Sequence, residues 1–75
     1  MKPPKGHYFI VWDCVFDSAR ILNCSEELEP TDELLQCVSK DEFYEDEIKC
    51  QERFGRNLLW LTREEILKFY GEDNE

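Results

Sequence analysis

The segment HYFIVWDCVFD, residues 7–17, decides the class of fold that this chain adopts. Alternate residues of an extended segment share one side, and one side of this segment is entirely apolar or aromatic. That side consists of Tyr8, Ile10, Trp12, Cys14 and Phe16. The other side is mixed and carries Phe9, Val11, Asp13, Val15 and Asp17. Alternation with aromatic and β-branched residues is typical of a β-strand, so we predict a strand whose apolar side the rest of the chain must cover.

The residues that follow predict a second strand and then a short helix. Residues 17–19 can turn the chain, and RILNC, residues 20–24, can return as the hairpin partner of the first strand. Pro30 separates this strand from the next element, and Thr31 fits the N-cap of a helix. The inner side of that helix would carry Leu34, Leu35 and Val38.

Two capping boxes predict two further helices. Ser39 with Glu42 fits the pattern S-x-x-E at the start of one helix, and Gly55 stands where a left-handed residue ends it. Thr62 with Glu65 repeats the pattern at the start of the last helix. The apolar side of the first of these helices would carry Phe43, Tyr44, Ile48 and Phe54.

The remaining segment predicts a third strand between those two helices. RNLLWL, residues 56–61, is a short apolar run of the kind found in buried strands, and Gly71 is expected to end the last helix. The predicted order is therefore β-β-α-α-β-α. It implies an α+β domain: a small three-stranded, mainly antiparallel sheet with two or three short helices packed on one face. We predict a flexible arm over residues 1–6, one domain over residues 7–71 and a frayed acidic tail over residues 72–75.

The charge of the chain is strongly negative and unevenly distributed. The formal net charge is −9, and residues 21–49 contribute −8 through ten acidic and two basic side chains. Such a surface repels nucleic acid and anionic membranes, so we expect neither to bind directly and we expect a basic protein as the partner. The N-terminal residues do not resemble a signal peptide, and no stretch is apolar enough to cross a membrane. We therefore expect a cytoplasmic protein with reduced cysteines.

The chain lacks the motifs that enzymes and small metal-binding domains use. Its four cysteines are far apart in sequence, whereas zinc ligands generally come in pairs two to four residues apart. His7 has no orienting partner nearby, and no phosphate-binding loop or nucleophile motif occurs. We expect no catalysis, no metal and no cofactor, and we interpret the cysteines as small core residues.

The segment SKDEFYEDEIKCQERFG, residues 39–55, concentrates carboxylates on a predicted helix. Carboxylates on adjacent helical turns lie about 5–6 Å apart, close to the phosphate spacing of a nucleic-acid strand. A helix face of this kind can occupy a basic cleft, although a solvated acidic face has the same pattern. The candidate partner-binding residues are Glu33, Asp41, Glu42, Tyr44, Glu45, Asp46 and Glu52.

Three functional hypotheses follow from these patterns. The first is a non-catalytic acidic protein-binding domain, an inhibitor or modulator that docks acidic helices on a basic, nucleic-acid-binding partner. Small acidic chains without motifs are similar in character to accessory proteins of phages and mobile elements, including nucleic-acid mimics. The second is a scaffold or oligomerisation module that uses an exposed sheet face carrying Phe9, Val11 and Val15. The third is a zinc module bound by the cysteines.

Overall fold

The fold class predicted from the sequence is confirmed. The computed structural model describes residues 1–72. These residues form a three-stranded antiparallel sheet followed by two α-helices, with one turn of 3-10 helix between the helices. The elements are β1 (His7–Asp13), β2 (Ser18–Leu22), β3 (Asp32–Ser39), α1 (Lys40–Phe54), the 3-10 turn (Leu58–Trp60) and α2 (Arg63–Glu72).

The predicted strand at residues 7–17 becomes the central strand of the sheet. The strand order is β2-β1-β3, so both edges of β1 are paired. Ile10 lies opposite Ile21 of β2 and Gln36 of β3. The next residue of β1, Val11, lies opposite Leu34, so β3 bulges by one residue at this point.

The β1–β2 hairpin closes through the side chain of Asp13. Its Oδ1 atom accepts hydrogen bonds from the backbone N–H groups of Val15 and Phe16, at 2.9 and 3.2 Å. Asp17 then takes a left-handed backbone conformation with φ of 56°, which aspartate tolerates better than most residues. The turn therefore comes earlier than predicted, and β2 begins at Ser18.

The helix predicted after Thr31 is wrong, because these residues form β3. β1 is a central strand, and its second edge would leave buried N–H and C=O groups unpaired if no strand covered it. Pairing with residues 32–39 provides hydrogen-bond partners for the backbone groups on that edge. A helix of only two turns is marginally stable by itself and would leave those groups unpaired. Thr31 does not cap a helix. Its carbonyl instead accepts a hydrogen bond from the N–H of Cys14 at 3.2 Å.

The strand predicted at residues 56–61 is also wrong. Leu58 to Trp60 form a 3-10 turn, in which residues three apart lie on the same side. This spacing buries both Leu58 and Leu61 and leaves Trp60 exposed, whereas strand alternation would have separated the two leucines. The carboxylate of Glu47 accepts the N–H of Leu58 at 2.9 Å and fixes the turn against α1.

Both predicted helix starts are confirmed, and the capping box at Thr62 is complete because the Thr62 N–H also donates to Oε1 of Glu65 at 2.9 Å. At Ser39 the carboxylate of Glu42 accepts from the hydroxyl, so this box is formed only in its first half. The hydroxyl of Ser39 accepts the N–H of Glu42 at 3.1 Å, and the hydroxyl of Thr62 accepts the N–H of Glu65 at 3.2 Å. Gly55 ends α1 with a left-handed φ of 72°. The end of α2 differs from the prediction, because the helix continues through residue 71 to residue 72. The rest of the predicted tail, residues 73–75, lies outside the described residues.

Two clusters of buried side chains lie on opposite faces of the sheet. The helices cover the larger cluster, which is built from Ile10, Val38, Cys50, Leu58, Leu61, Ile66 and Phe69. On the other face, Phe9 and Val11 pack with Leu22 and with Leu28 of the β2–β3 loop, and they are only 4% and 0% exposed. The expectation of an exposed patch around Phe9 and Val11 is therefore wrong.

The N-terminal segment lies beside that second cluster. The N–H of Leu28 donates to the carbonyl of Met1 at 2.8 Å, and Pro3 is buried. The N–H of Lys40 donates to the carbonyl of Gly6 at 3.0 Å, at the start of α1. Residues 1–6 thus run from the β2–β3 loop to the first turn of α1.

Candidate functional interface

The solvent side of α1 brings together four of the seven predicted partner-binding residues. Helical periodicity places Phe43, Asp46, Glu47, Cys50 and Phe54 toward the sheet and α2, because these positions follow a spacing of three to four residues. The opposite side is exposed along its length, and we call it the outer face of α1. It carries Asp41, Tyr44, Glu45, Ile48 and Glu52.

Two large apolar side chains stand among the carboxylates of this face. Tyr44 is 61% exposed and Ile48 is 62% exposed. They are four residues apart and therefore lie one turn above each other on the helix. The prediction that both lie on the buried side of the helix is wrong, because Asp46, Glu47 and Cys50 occupy that side with Phe43 and Phe54. Tyr44 remains a candidate contact residue.

The carboxylates of the outer face are not neutralised by the chain itself. Among the described residues, no ion pair joins Asp41, Glu45 or Glu52 to a basic side chain. Glu45 precedes Lys49 by four residues, but the two do not form an ion pair. This face therefore presents its charge to solvent and to any partner.

Asp46 is separated from this face, so its prediction as a partner-binding residue of the acidic face is wrong. It is 8% exposed and accepts a hydrogen bond from the hydroxyl of Tyr70 at 3.0 Å. Its position three residues after Phe43 and four before Cys50 places it on the core side of α1. Asp46 thus connects α1 to α2.

Glu33 is also engaged within the chain. Its two carboxylate oxygens accept hydrogen bonds from Nε and Nη2 of Arg63, each at 2.7 Å, so the pair is bidentate. The hydrogen bond from Arg63 lowers the pKa of Glu33. This pair connects β3 to the first residue of α2, which explains how an acidic strand can lie beside an acidic helix.

Glu42 lies at the border between the outer face and the sheet. It is exposed, and its Oε1 atom accepts a hydrogen bond from the Ser39 hydroxyl at 3.1 Å, whereas in a complete capping box it would accept the backbone N–H of Ser39. A groove of 380 Å³ begins beside it, between β3 and the two helices. The groove is lined by Gln36, Val38, Glu42, Glu45, Asp46, Lys49 and Tyr70.

A second groove lies on the other side of α1, and it has aromatic walls. Tyr8, Phe43 and Tyr44 line it together with Ile21 of β2, in a volume of 470 Å³. The Nζ atom of Lys40 lies 5.7 Å from the centroid of the Tyr8 ring, in cation–π geometry. The sequence gives no signal for either groove, because each is formed by residues that are far apart along the chain.

The cysteines do not converge on a common site. Cys14, Cys24 and Cys37 are exposed, so their interpretation as core residues is wrong. Cys50 is buried, as predicted, and its thiol donates to the carbonyl of Arg56 at 3.3 Å. Burial raises the pKa of Cys50, and the nearby carboxylate of Glu47 raises it further. Over residues 1–72, no group of three or more His, Cys, Asp or Glu side chains is arranged to hold a metal ion.

The two helices of the described part of the chain are too short and too polar to cross a membrane. Comparison with known proteins gives no relative from which a role could be transferred: no protein-family model, no curated protein and no solved structure matches this chain.

Proposed function

We propose that this chain is a non-catalytic acidic protein-binding domain that docks the outer face of α1 on a basic partner protein. The observation that carries this proposal is the exposure of Tyr44 and Ile48, both above 60%, among Asp41, Glu45 and Glu52. Apolar side chains at the centre of an interface supply much of its affinity, and tyrosine is enriched at such positions.

The carboxylates around this apolar pair have a different role from the pair itself. Because no ion pair within residues 1–72 neutralises them, they attract a basic surface over a distance and align it before contact. Asp41 and Glu45 lie one helical turn apart, and Glu52 lies about two turns further along the same side. This series supports an inhibitor or modulator that occupies a basic, nucleic-acid-binding cleft of the partner.

Charge reversal on the outer face tests the proposal. The tagged protein captures its partner from a cell extract, the partner is identified by mass spectrometry, and its Kd is measured with purified proteins. We expect Asp41→Lys/Glu45→Lys/Glu52→Lys to abolish binding, mainly by slowing association. We also expect binding by the unmodified chain to weaken as salt rises from 0.05 to 0.5 M, because salt screens exposed charges.

Two further variants separate charge from contact area. Tyr44→Ala/Ile48→Ala leaves the net charge unchanged, and we expect it to speed dissociation with little effect on the association rate. The matched control reverses three exposed acidic residues outside α1, Glu27, Glu29 and Glu64. This control changes the net charge by the same amount and should retain most of the affinity. Normal binding by the outer-face triple variant would show that this face is only solvated.

A further inference from the structure

β3 is an edge strand whose outer side is open to pairing. Within residues 1–72, β3 pairs only with β1. The outer side of an edge strand presents unpaired N–H and C=O groups, which are a template for an additional strand. Many peptide-binding domains recognise an extended segment through such an edge.

The register of the sheet identifies the residues that point outward. The carbonyl of Thr31 and the N–H of Lys40 both face β1, as their bonds to Cys14 and Gly6 show. Hydrogen-bonding direction alternates along a strand, and the bulge next to Leu34 adds one residue. Alternation from either end of β3 gives the same result. The backbone N–H and C=O groups of Leu34 and Cys37 point away from β1. Both residues are exposed.

The two faces beside this edge differ in chemistry. On the side of the helices lies the groove lined by Glu42, Glu45 and Asp46, and among the described residues that line it Lys49 is the one basic side chain. The sheet wall of this groove consists of Gln36 and Val38, both from β3, so the groove lies along the edge of the sheet. On the opposite face, the outward edge carries the apolar side chain of Leu34, which is 38% exposed.

We propose that β3 accepts an extended segment of the partner as a fourth, antiparallel strand, with Lys or Arg at every second position. Side chains of an added strand alternate between the two faces, so its basic residues would enter the carboxylate-lined groove. The residues between them would lie beside Leu34 and would be apolar. The antiparallel direction follows the pairing already present in the sheet and is the more stable per residue.

A second copy of this chain is a poorer occupant of the same edge. The chain carries a net charge of −9, and residues close to both ends of β3, Glu29 and Asp41, are acidic. Pairing two such strands would bring like charges together. The inference rests on the proposed function in one respect only, namely that the partner is basic.

The experiment uses a nine-residue peptide of alternating lysine and valine, blocked at both ends, and the 15N-labelled chain. We expect amide shifts and slowed hydrogen exchange at Leu34 and Cys37 on addition of the peptide. The same residues grouped as a lysine block followed by a valine block should bind at least tenfold more weakly. If the alternating peptide does not change the amide chemical shifts of β3, the proposal is overturned.

Backbone methylation of the peptide tests the strand pairing without changing the protein. Opposed residues of antiparallel strands share a face, so the valine amides face β3 and the lysine amides face solvent. N-methylation of the valines should abolish binding, whereas N-methylation of the lysines should preserve it. The reverse result, or equal binding by both peptides, contradicts the proposed strand.

A proline at the outward position tests the same hydrogen bonds from the side of the protein. Leu34→Pro removes an N–H that points away from β1, a position at which edge strands tolerate proline. It should weaken peptide binding about tenfold, the equivalent of one hydrogen bond, beyond the effect of Leu34→Thr, which keeps the N–H and loses only part of the apolar contact. Peptide shifts confined to Tyr44 and Ile48 would overturn the strand proposal and leave the docking function standing. The docking function alone is refuted by a different pair of results. In that case the peptide adds as a strand to β3, and the outer-face triple variant binds its partner as tightly as the unmodified chain does.

Discussion

Arg20 is predicted to be the most costly surface-accessible residue to remove, because it holds a buried carboxylate on the far strand of the sheet. Its guanidinium lies over β1 and binds both oxygens of Asp32 on β3, each at 2.6 Å from Nη2. The side chain of Asp32 is 1% exposed, and that of Arg20 is 38% exposed. Arg20 also lies opposite Val11, so its methylene groups sit beside a fully buried position of the central strand.

The loss of stability expected for Arg20→Ala follows from the burial of Arg20 and Asp32. Removing one member of a buried ion pair costs about 3–5 kcal/mol, since an uncompensated charge stays behind. The partial exposure of Arg20 lets water reach Asp32 in its absence, which reduces the expected cost of Arg20→Ala to about 2–3 kcal/mol. A domain of this size has a free energy of unfolding of about 4–11 kcal/mol, so Tm should fall by about 10–20 °C.

The pH dependence gives the sharper test. Burial alone would raise the pKa of Asp32, but the hydrogen bonds from Arg20 and from the Glu29 N–H outweigh it and lower the pKa. A carboxylate with a lowered pKa contributes stability that is present above about pH 4 and is lost as pH falls through the folded-state pKa. The difference between the unmodified chain and Arg20→Ala should therefore be largest near neutral pH and should shrink below pH 4.

The assay is equilibrium unfolding in urea at several pH values, followed by tryptophan fluorescence. Arg20→Lys keeps the charge but loses the contact with both oxygens of Asp32. Its free energy of unfolding should therefore lie between those of the unmodified chain and Arg20→Ala. Lys68→Ala also removes one positive charge, from an exposed position of α2, and should change the free energy of unfolding by less than about 0.5 kcal/mol. A loss below that value for Arg20→Ala, or a loss that does not change between pH 7 and pH 3, would refute the reasoning.

Three smaller predictions concern the helices and the buried thiol. Thr62→Ala should lower the free energy of unfolding by about 1 kcal/mol and Thr62→Ser should change it little, since serine keeps the oxygen that accepts the N–H of Glu65. Gly55→Ala should cost about 1–2 kcal/mol in the same unfolding assay, because a Cβ would meet no atom within 4 Å and the strain comes only from the left-handed φ. At pH 8 a thiol reagent should modify three cysteines of the folded protein quickly and Cys50 only on unfolding, as burial both shields this thiol and raises its pKa; rapid modification of all four would contradict this.

The sequence predicts the elements of this fold where a local pattern decides the structure. β1 follows from alternation, and both helix starts follow from hydroxyl and carboxylate residues three positions apart. The conformation of residues 32–39 depends instead on β1, a segment that is distant in sequence. The backbone groups on the second edge of β1 must be paired, and residues 32–39 pair with them. The preference of Asp32 and Glu33 for a helix N-terminus carried little weight, since each finds an arginine in the folded chain.

The candidate site was predictable only in part, for a related reason. Periodicity locates Asp41, Glu45 and Glu52 on one side of α1, and the structure exposes all three. The same periodicity cannot tell which side faces the core when both sides carry apolar and acidic residues. The pattern therefore predicts the wrong side for Tyr44 and Ile48, and it predicts a solvent-exposed position for Asp46, which is buried.

Net charge alone is a poor guide to which carboxylates can bind a partner. Two of the acidic residues have donors within the chain, Asp32 in Arg20 and Glu33 in Arg63, and we expect these two to stabilise the fold. Both pairs fix β3, one to the sheet and the other to α2, so the open edge of β3 is held in place before any partner arrives. Reversing the outer-face carboxylates should therefore remove binding and spare the fold, whereas neutralising Asp32 should damage the fold first. If all the acidic residues served only solubility, charge changes on the outer face and at Asp32 would not differ in this way.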